Sequence, residues 1–268
     1  MRDIHATAVV DAAAEIAETV KIGPFCVIGP NVAIEDKVVL HSHVVVDGHT
    51  TIGAGSVVHP FSSLGLPPQH ARYKGEPSSL IIGKNNTIRE HVTMHPGTEQ
   101  GGMTTTIGDN CLFMVGSHVA HDCSVANDVI LTNNVALGGH VTVEEYAIIG
   151  GLSGIHQYVR VGKHSMIGGC SAVESDVIPY GSVKGNRARL SGLNIIGLRR
   201  RGFSREDIRS LRTAYGLLFS QGGNMAERLS EVADVFSTHP GVMDIVNFIQ
   251  ADSSRAICQP LSSNGNGG

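Results

Sequence analysis

IHATAVVDAAAEIAETVKIGPFCVIGPNVAIEDKVVL, residues 4–40, carries one aliphatic side chain every six residues: Ile4, Val10, Ile16, Ile22, Ile28, Ile34 and Leu40. The series runs on through Val46, Ile52 and Val58 without a gap. Four residues after each member comes something small or β-branched: Ala8, Ala14, Val20, Cys26, Val32, Val38, Val44, Thr50, Ser56 and Ser62. A period of six fits neither the 3.6 of a helix nor the alternation of a half-buried strand. It is the mark of a β-helix, in which short strands wind into stacked coils. Six residues make one side of a triangular coil, so eighteen make a turn, and coils stack at roughly 4.8 Å. Glycines such as Gly23, Gly53 and Gly150 follow an inward aliphatic, at corners that tolerate no crowding Cβ. The expected fold class is an all-β solenoid of hexapeptide repeats followed by a small α-helical C-terminal domain.

The rhythm breaks twice. After Leu64 the places due to be aliphatic hold His70 and Glu76, and the frame resumes at Ile82, Ile88 and Met94. A second interruption covers residues 95–106 and shifts the frame by one. From Ile107 the hexads are unbroken through Val173 and stop at Pro179. These breaks predict loop insertions near 65–80 and 95–106, and interruptions of a rigid solenoid are where sites tend to be built. Residues 180–203 read as a connecting segment. The pattern then turns helical: Ser204 and Asp207 form a capping box ahead of an apolar stripe of Ile208, Leu211, Tyr215 and Leu218. Asn224 with Glu227 starts a second helix, and Pro240 a third. The domain boundaries expected are 1–190 for the β-helix and 191–268 for the helical domain, with LSSNGNGG as a disordered tail.

Composition narrows the function. The chain has 268 residues, no tryptophan and a formal charge of −4, which argues against a globally basic nucleic-acid binder. The charge is uneven: residues 184–212 hold nine Lys and Arg against Glu206 and Asp207. A basic patch on an acidic chain points to one anionic partner at one place. The five cysteines include no pair at zinc-ribbon spacing, and Cys26, Cys111 and Cys123 fall in the small inward slot as reduced thiols. No run approaches ~20 apolar residues, and Asp11, Glu15 and Glu18 interrupt the N-terminal stretch. No membrane span is expected, and the protein is expected in the cytoplasm.

On eighteen-residue coils, His121 stacks under Gly139 and His140, and these stack under His156 and Gln157. His95 falls near the same line, and His118 lies three residues before His121. A histidine can take a proton from a hydroxyl as it attacks an acyl carbon. Asp122 would hold the imidazole in its useful tautomer, and the Gly138–Gly139 corner leaves a backbone N–H for a developing oxyanion. His5, His41, His43, His49 and His59 read instead as solvated corner residues. Zinc on this scaffold is the competing reading, although no cysteine or further acidic ligand completes a set. The metal and cofactor expectation is therefore none.

Several segments carry a closer resemblance: IGPFCVIGP (22–30), HVVVDGHTTIG (43–53), GSHVAHDC (116–123), AIIGG (147–151), HQYVRVG (156–162) and LRRRGFSRE (198–206). They resemble the UDP-N-acetylglucosamine 3-O-acyltransferases that begin lipid A synthesis, and the likeness covers nearly the whole chain. It implies a left-handed coil and a homotrimer with active sites between subunits. It also implies transfer of an (R)-3-hydroxyacyl group from acyl carrier protein to the glucosamine 3-position of a UDP-amino sugar. By the same resemblance His121 is the general base, Asp122 its partner and Gly139 the oxyanion donor. His118, His140 and His156 line the site, Gln157 and Asn194 meet the nucleotide, and Gln69, His70, Arg72 and His95 belong to the substrate site. Arg200 and Arg201 meet phosphate or the carrier protein, and Gly169 limits acyl length. Arg72 stands where lysine is usual, His70 where aspartate is usual, Pro96 replaces an arginine and Ile196 a glutamate. These departures leave open whether the sugar carries a 3-hydroxyl or a 3-amino group. A sibling N-acyltransferase and a zinc carbonic anhydrase on the same scaffold remain the alternatives.

Overall fold

The computed structural model describes residues 2–220 and 223–261. The expected disordered tail falls at 262–268, outside the described residues, apart from Leu261.

The chain winds as a left-handed parallel β-helix. Among the described residues its short strands form three sheets of eleven, nine and eight strands, one per face of the prism. Successive rungs are eighteen residues apart: Asp3 pairs with Lys21, and Lys21 with Val39. The two interruptions lengthen this spacing, with Val57 facing Thr87 and Thr87 facing Leu112. The second spacing exceeds a coil by one hexad and one residue, which accounts for the shifted frame. The aliphatic series points inward. On one face Ile22, Leu40, Val58, Ile88, Phe113, Leu131, Ile149 and Ile167 stack one above another, each buried. The third place of most corners adopts the left-handed conformation, as at Asp122 (φ 60°) and His140 (φ 61°).

Residues 180–203 are more ordered than a connector. Gly181–Lys184 adds a strand to the sheet, and Arg189–Leu193 turns back on it antiparallel, with a short helix α1 (Ile195–Arg200) after it. The hairpin closes the open end of the solenoid with Val183 and Leu190, covering backbone that an unfinished coil would leave exposed. Asn194 caps α1 through its side chain, which the hexad frame does not announce.

Helix α2 (Arg205–Leu218) starts at the capping box of Ser204 and Asp207, and α3 (Met225–Val235) at that of Asn224 and Glu227. Helix α4 (Pro240–Gln250) begins on Pro240. The buried stripe of α2 is Ile208, Leu211, Ala214 and Leu218, while Tyr215 is only half-buried. After α4 the chain returns to the solenoid, where Ile257 bridges Asp176 and Pro260 bridges Leu190. No helix of the described residues is long and apolar enough to cross a membrane.

Candidate active site

One edge of the prism gathers most of the polar side chains singled out above. The ladder pairs His118 with Ala136 and Ala136 with Gly154. Followed three places on, this register sets Gly139 over His121 and Gln157 over Gly139, with His140 over Asp122 and His156 over Gly138. The His140 amide donates to the His121 carbonyl, and the Tyr158 amide to the Gly139 carbonyl. His121 is therefore directly beneath Gly139, and His140 stacks its ring on Tyr158 at 4.4 Å.

The two insertions build walls around this edge. The first carries His70 to 4.7 Å from the His121 ring, edge to face, with Gln69 beside the groove and Arg72 exposed on the same loop. The second encloses Asp122. Its Thr98 amide donates to Asp122 Oδ1 at 2.8 Å, and its Thr98 hydroxyl to Oδ2 at 2.6 Å. The Thr105 hydroxyl accepts from the Asp122 amide at 2.8 Å. A Cβ on Gly101 would lie 2.0 Å from the Asp122 carboxyl carbon, so only glycine lets the loop close here. As a result the Asp122 side chain has no exposed surface. Thr98 and Gly101 follow no hexad rule, and Thr105 fills the small inward slot before Ile107, so periodicity marks none of the three as a partner of Asp122.

Asp122 Oδ2 accepts from His121 Nδ1 at 2.7 Å. A carboxylate acceptor there fixes the proton on Nδ1 and leaves Nε2 as the free base. Gly138 donates its amide to the Ile155 carbonyl, whereas the Gly139 amide makes no hydrogen bond among the described residues. A free base and a free amide thus lie side by side. His140 Nε2 stands 3.8 Å from the same Asp122 oxygen. His121, Asp122 and His140 each bring one possible ligand atom within 4.8 Å of the others. Asp122 Oδ2, however, already accepts two short hydrogen bonds, from Thr98 and His121, so His121 and Asp122 have the geometry of a hydrogen-bonded pair with His140 standing beside it.

His95, His118 and His140 are each pushed towards the neutral form. His95 and His118 pack edge to face at 4.9 Å. Burial, and the neighbouring His118 and His121, push His95 down to about 4. Burial likewise lowers His118, and it lowers His140 against the opposing pull of Asp122. With a folded value near 4, below the 6.5 of an exposed imidazole, His95 is protonated in the unfolded chain before the folded one. Its contribution to stability is present in full above pH 6.5 and is lost as the pH falls towards 4. Thermal melts across that window should show Tm falling on acidification, with a shallower slope in His95→Gln. Equal slopes for the two proteins would remove His95 as a cause.

Beside these side chains runs a groove of about 470 Å³ lined by His95, His118, His121, Gly139, His156 and Gln157. Its floor is the small-residue row Ala136, Gly154 and Ala172 on successive coils. Other predicted residues lie elsewhere on the prism. Gly169 is over Gly151 on a second edge. Asn194 is on the third edge, where its Nδ2 donates to the His164 carbonyl at 2.9 Å. Arg201 packs over the Tyr146 ring on that third edge, and Arg200 is exposed beside it. A basic cavity of about 830 Å³ opens between Arg199, Arg205, Arg209 and Arg212.

Comparisons with known proteins agree on one kind of chain. Residues 176–258 match the second domain of the family described as UDP N-acetylglucosamine O-acyltransferase, and residues 13–48 match the bacterial transferase hexapeptide repeat. The acyl-(acyl-carrier-protein)-UDP-N-acetylglucosamine O-acyltransferase of Caulobacter vibrioides is 54% identical over 78% of this chain and 80% of its own. That of Sinorhizobium fredii is 49% identical over 96% and 95%. The solved LpxA of Acinetobacter baumannii superposes with a TM-score of 0.90 at 42% identity, covering 96% of this chain and 99% of its own.

Proposed function

From the premise that the chain belongs to the acyl-(acyl-carrier-protein)-UDP-N-acetylglucosamine O-acyltransferase family and is an acyltransferase, we propose that it opens lipid A synthesis in the cytoplasm. It moves an (R)-3-hydroxyacyl group from acyl carrier protein to the glucosamine 3-position of UDP-N-acetylglucosamine or its 3-amino analogue. The observation that carries this reading is the juxtaposition of the Asp122-held His121 with the unpaired Gly139 amide.

The acceptor hydroxyl oxygen attacks the thioester carbonyl carbon while His121 Nε2 takes its proton. The carbonyl electron pair moves to oxygen, where the Gly139 N–H donates to it. Collapse breaks the C–S bond, and the imidazolium returns the proton to the departing sulfur. Asp122 keeps the tautomer correct throughout and supports the transient charge on the ring. The small-residue floor accepts the acyl chain, and His70, His95, His118, His140, His156 and Gln157 position the acceptor. The test is an acyl-transfer assay with 3-hydroxyacyl carrier proteins of several lengths and with both UDP-sugars. The expected product bears the acyl group at the 3-position, and transfer only to a free 2-amine would support the sibling reading instead.

Within one chain, His121, Gly169 and Asn194 occupy three different edges of the prism. A three-fold assembly would bring the second and third edges of neighbouring copies against the first, so we read the protein as a homotrimer. Sedimentation should give a trimer at micromolar concentration, and a fully active monomer would defeat this.

Acyl carrier protein approaches the basic cavity. Arg209 is exposed there, whereas Arg201 is half-buried against Tyr146, so Arg209 is the cleaner probe. Arg209→Glu should raise KM for the donor about ten-fold with little change in KM for the sugar, and added salt should mimic it on the wild type. A donor KM indifferent to both would remove the carrier-protein role.

A further inference from the structure

The segment that follows α4 crosses back over the last coils and is pinned to a buried carboxylate. Asp176, fully buried, accepts from the Arg160 amide at 2.8 Å and from Arg160 Nε at 2.7 Å. It also accepts from the Ser253 hydroxyl at 2.6 Å. The Asp176 amide donates to the Ala256 carbonyl and the Cys258 amide to the Asp176 carbonyl, so the chain is tied before Arg255 by the Ser253 side chain and after it by backbone. This strap delivers the Arg255 guanidinium to the edge that holds the groove. Nε donates to the Gln157 carbonyl at 2.9 Å, and Nη2 lies 2.6 Å from His156 Nδ1.

A guanidinium has five N–H donors and no acceptor, and it stays protonated throughout the working pH range. His156 Nδ1 must therefore be the acceptor, and the neutral ring carries its proton on Nε2. The other neighbour of Nδ1 is the Gln157 carbonyl, which would favour the opposite tautomer. It stands farther away at 3.3 Å and is already occupied by Arg255 Nε. We infer that Arg255 is a positioning residue for the UDP-sugar: carried in by the C-terminal strap, it locks His156 as an Nε2–H donor at the Gln157 end of the groove. Without it the ring samples both tautomers, and the donor faces substrate only part of the time. The inference rests on the acyl-transfer reading for its kinetics, while its structural half concerns the imidazole alone.

Two measurements on the full chain test it. Nitrogen-15 spectra of histidine-labelled protein should report an unprotonated Nδ1 and a protonated Nε2 on His156, and a tautomer mixture in Arg255→Met. In the transfer assay Arg255→Met should raise KM for the UDP-sugar about ten-fold while kcat falls less than about three-fold and donor KM holds. Arg255→Lys should recover most of that loss, because an ammonium also only donates. The proposal is overturned by a protonated Nδ1 in the wild type, or by an unchanged sugar KM in Arg255→Met. It is overturned equally if Tm and kcat fall and both KM values rise together without rescue by lysine, which marks the strap as a fastening only. If the wild type transfers no acyl group at all, the acyl-transfer reading has failed, and the spectra still decide the tautomer.

Discussion

Replacing His121 by alanine should lower kcat by at least about two orders of magnitude. A sugar hydroxyl is far too weak an acid to attack a thioester unaided at neutral pH, and a base in hydrogen-bond reach typically contributes ~10²–10⁴ in rate. Of the histidines on this edge, His121 alone has its Nδ1 held by a carboxylate at 2.7 Å and lies under the unpaired Gly139 amide. Its neighbours His95, His118 and His140 are pushed towards the neutral form by burial and lack such a partner at that distance. The residue is 5% exposed, so removal of its side chain also costs packing, about 1–3 kcal/mol. Asp122 keeps both hydrogen bonds from Thr98, and the coil should remain folded. His140→Ala and His156→Ala should act more on KM than on kcat. If His121→Ala retains more than about a tenth of wild-type kcat while His140→Ala abolishes turnover, the base is on the next coil.

Gly139→Ala should lower kcat by about two orders of magnitude through geometry alone. The added Cβ would stand 2.5 Å from His121 Cε1 and 2.7 Å from Nε2, closer than atoms pack. The Gly139 φ lies outside the left-handed region, so alanine adopts the same backbone and the imidazole must yield instead. The backbone N–H is retained, which separates this loss from loss of the oxyanion donor. A misplacement of about 1 Å at the reacting groups can cost ~10² in rate. The double variant with His121→Ala gives the check, since with the ring gone the Cβ has room. It should be no slower than His121→Ala, a non-additivity that marks two substitutions acting on one group. A further ~10² loss in the double variant would mean that alanine damages the site independently of the ring.

The solenoid was legible because each coil repeats one steric demand. An inward slot lined by the slots above and below accepts only an aliphatic side chain, so Ile22, Leu40 and Val58 announce their face without any tertiary information. The stacking of His121, Gly139 and Gln157 follows from the same repeat, because a rung spacing of eighteen converts sequence distance directly into height along the edge. The caps of α2 and α3 are equally local: Ser204 with Asp207 and Asn224 with Glu227 satisfy their own first turns. The hairpin at 181–193 was not legible, since it leaves the hexad frame to close an end that exists only once the coils have stacked.

What sequence by itself determined here is everything governed by period: the β-helix, its frame, its two interruptions, and the edge on which His121 and Asp122 lie. What tertiary structure alone decided is everything that reaches that edge from outside the period. Thr98 arrives from a loop 24 residues before Asp122 and encloses it, and Arg255 arrives 99 residues after His156 to meet its ring. Asn194 also depends on three dimensions, because it follows the hairpin outside the hexad frame and reaches the third edge through the His164 carbonyl. The physical reason is the range of the forces involved. Inward packing is a nearest-coil constraint that each hexad must satisfy alone, so it leaves a repeated mark. A buried carboxylate or an imidazole needs only one donor of the right kind, and the chain is free to supply it from any distance.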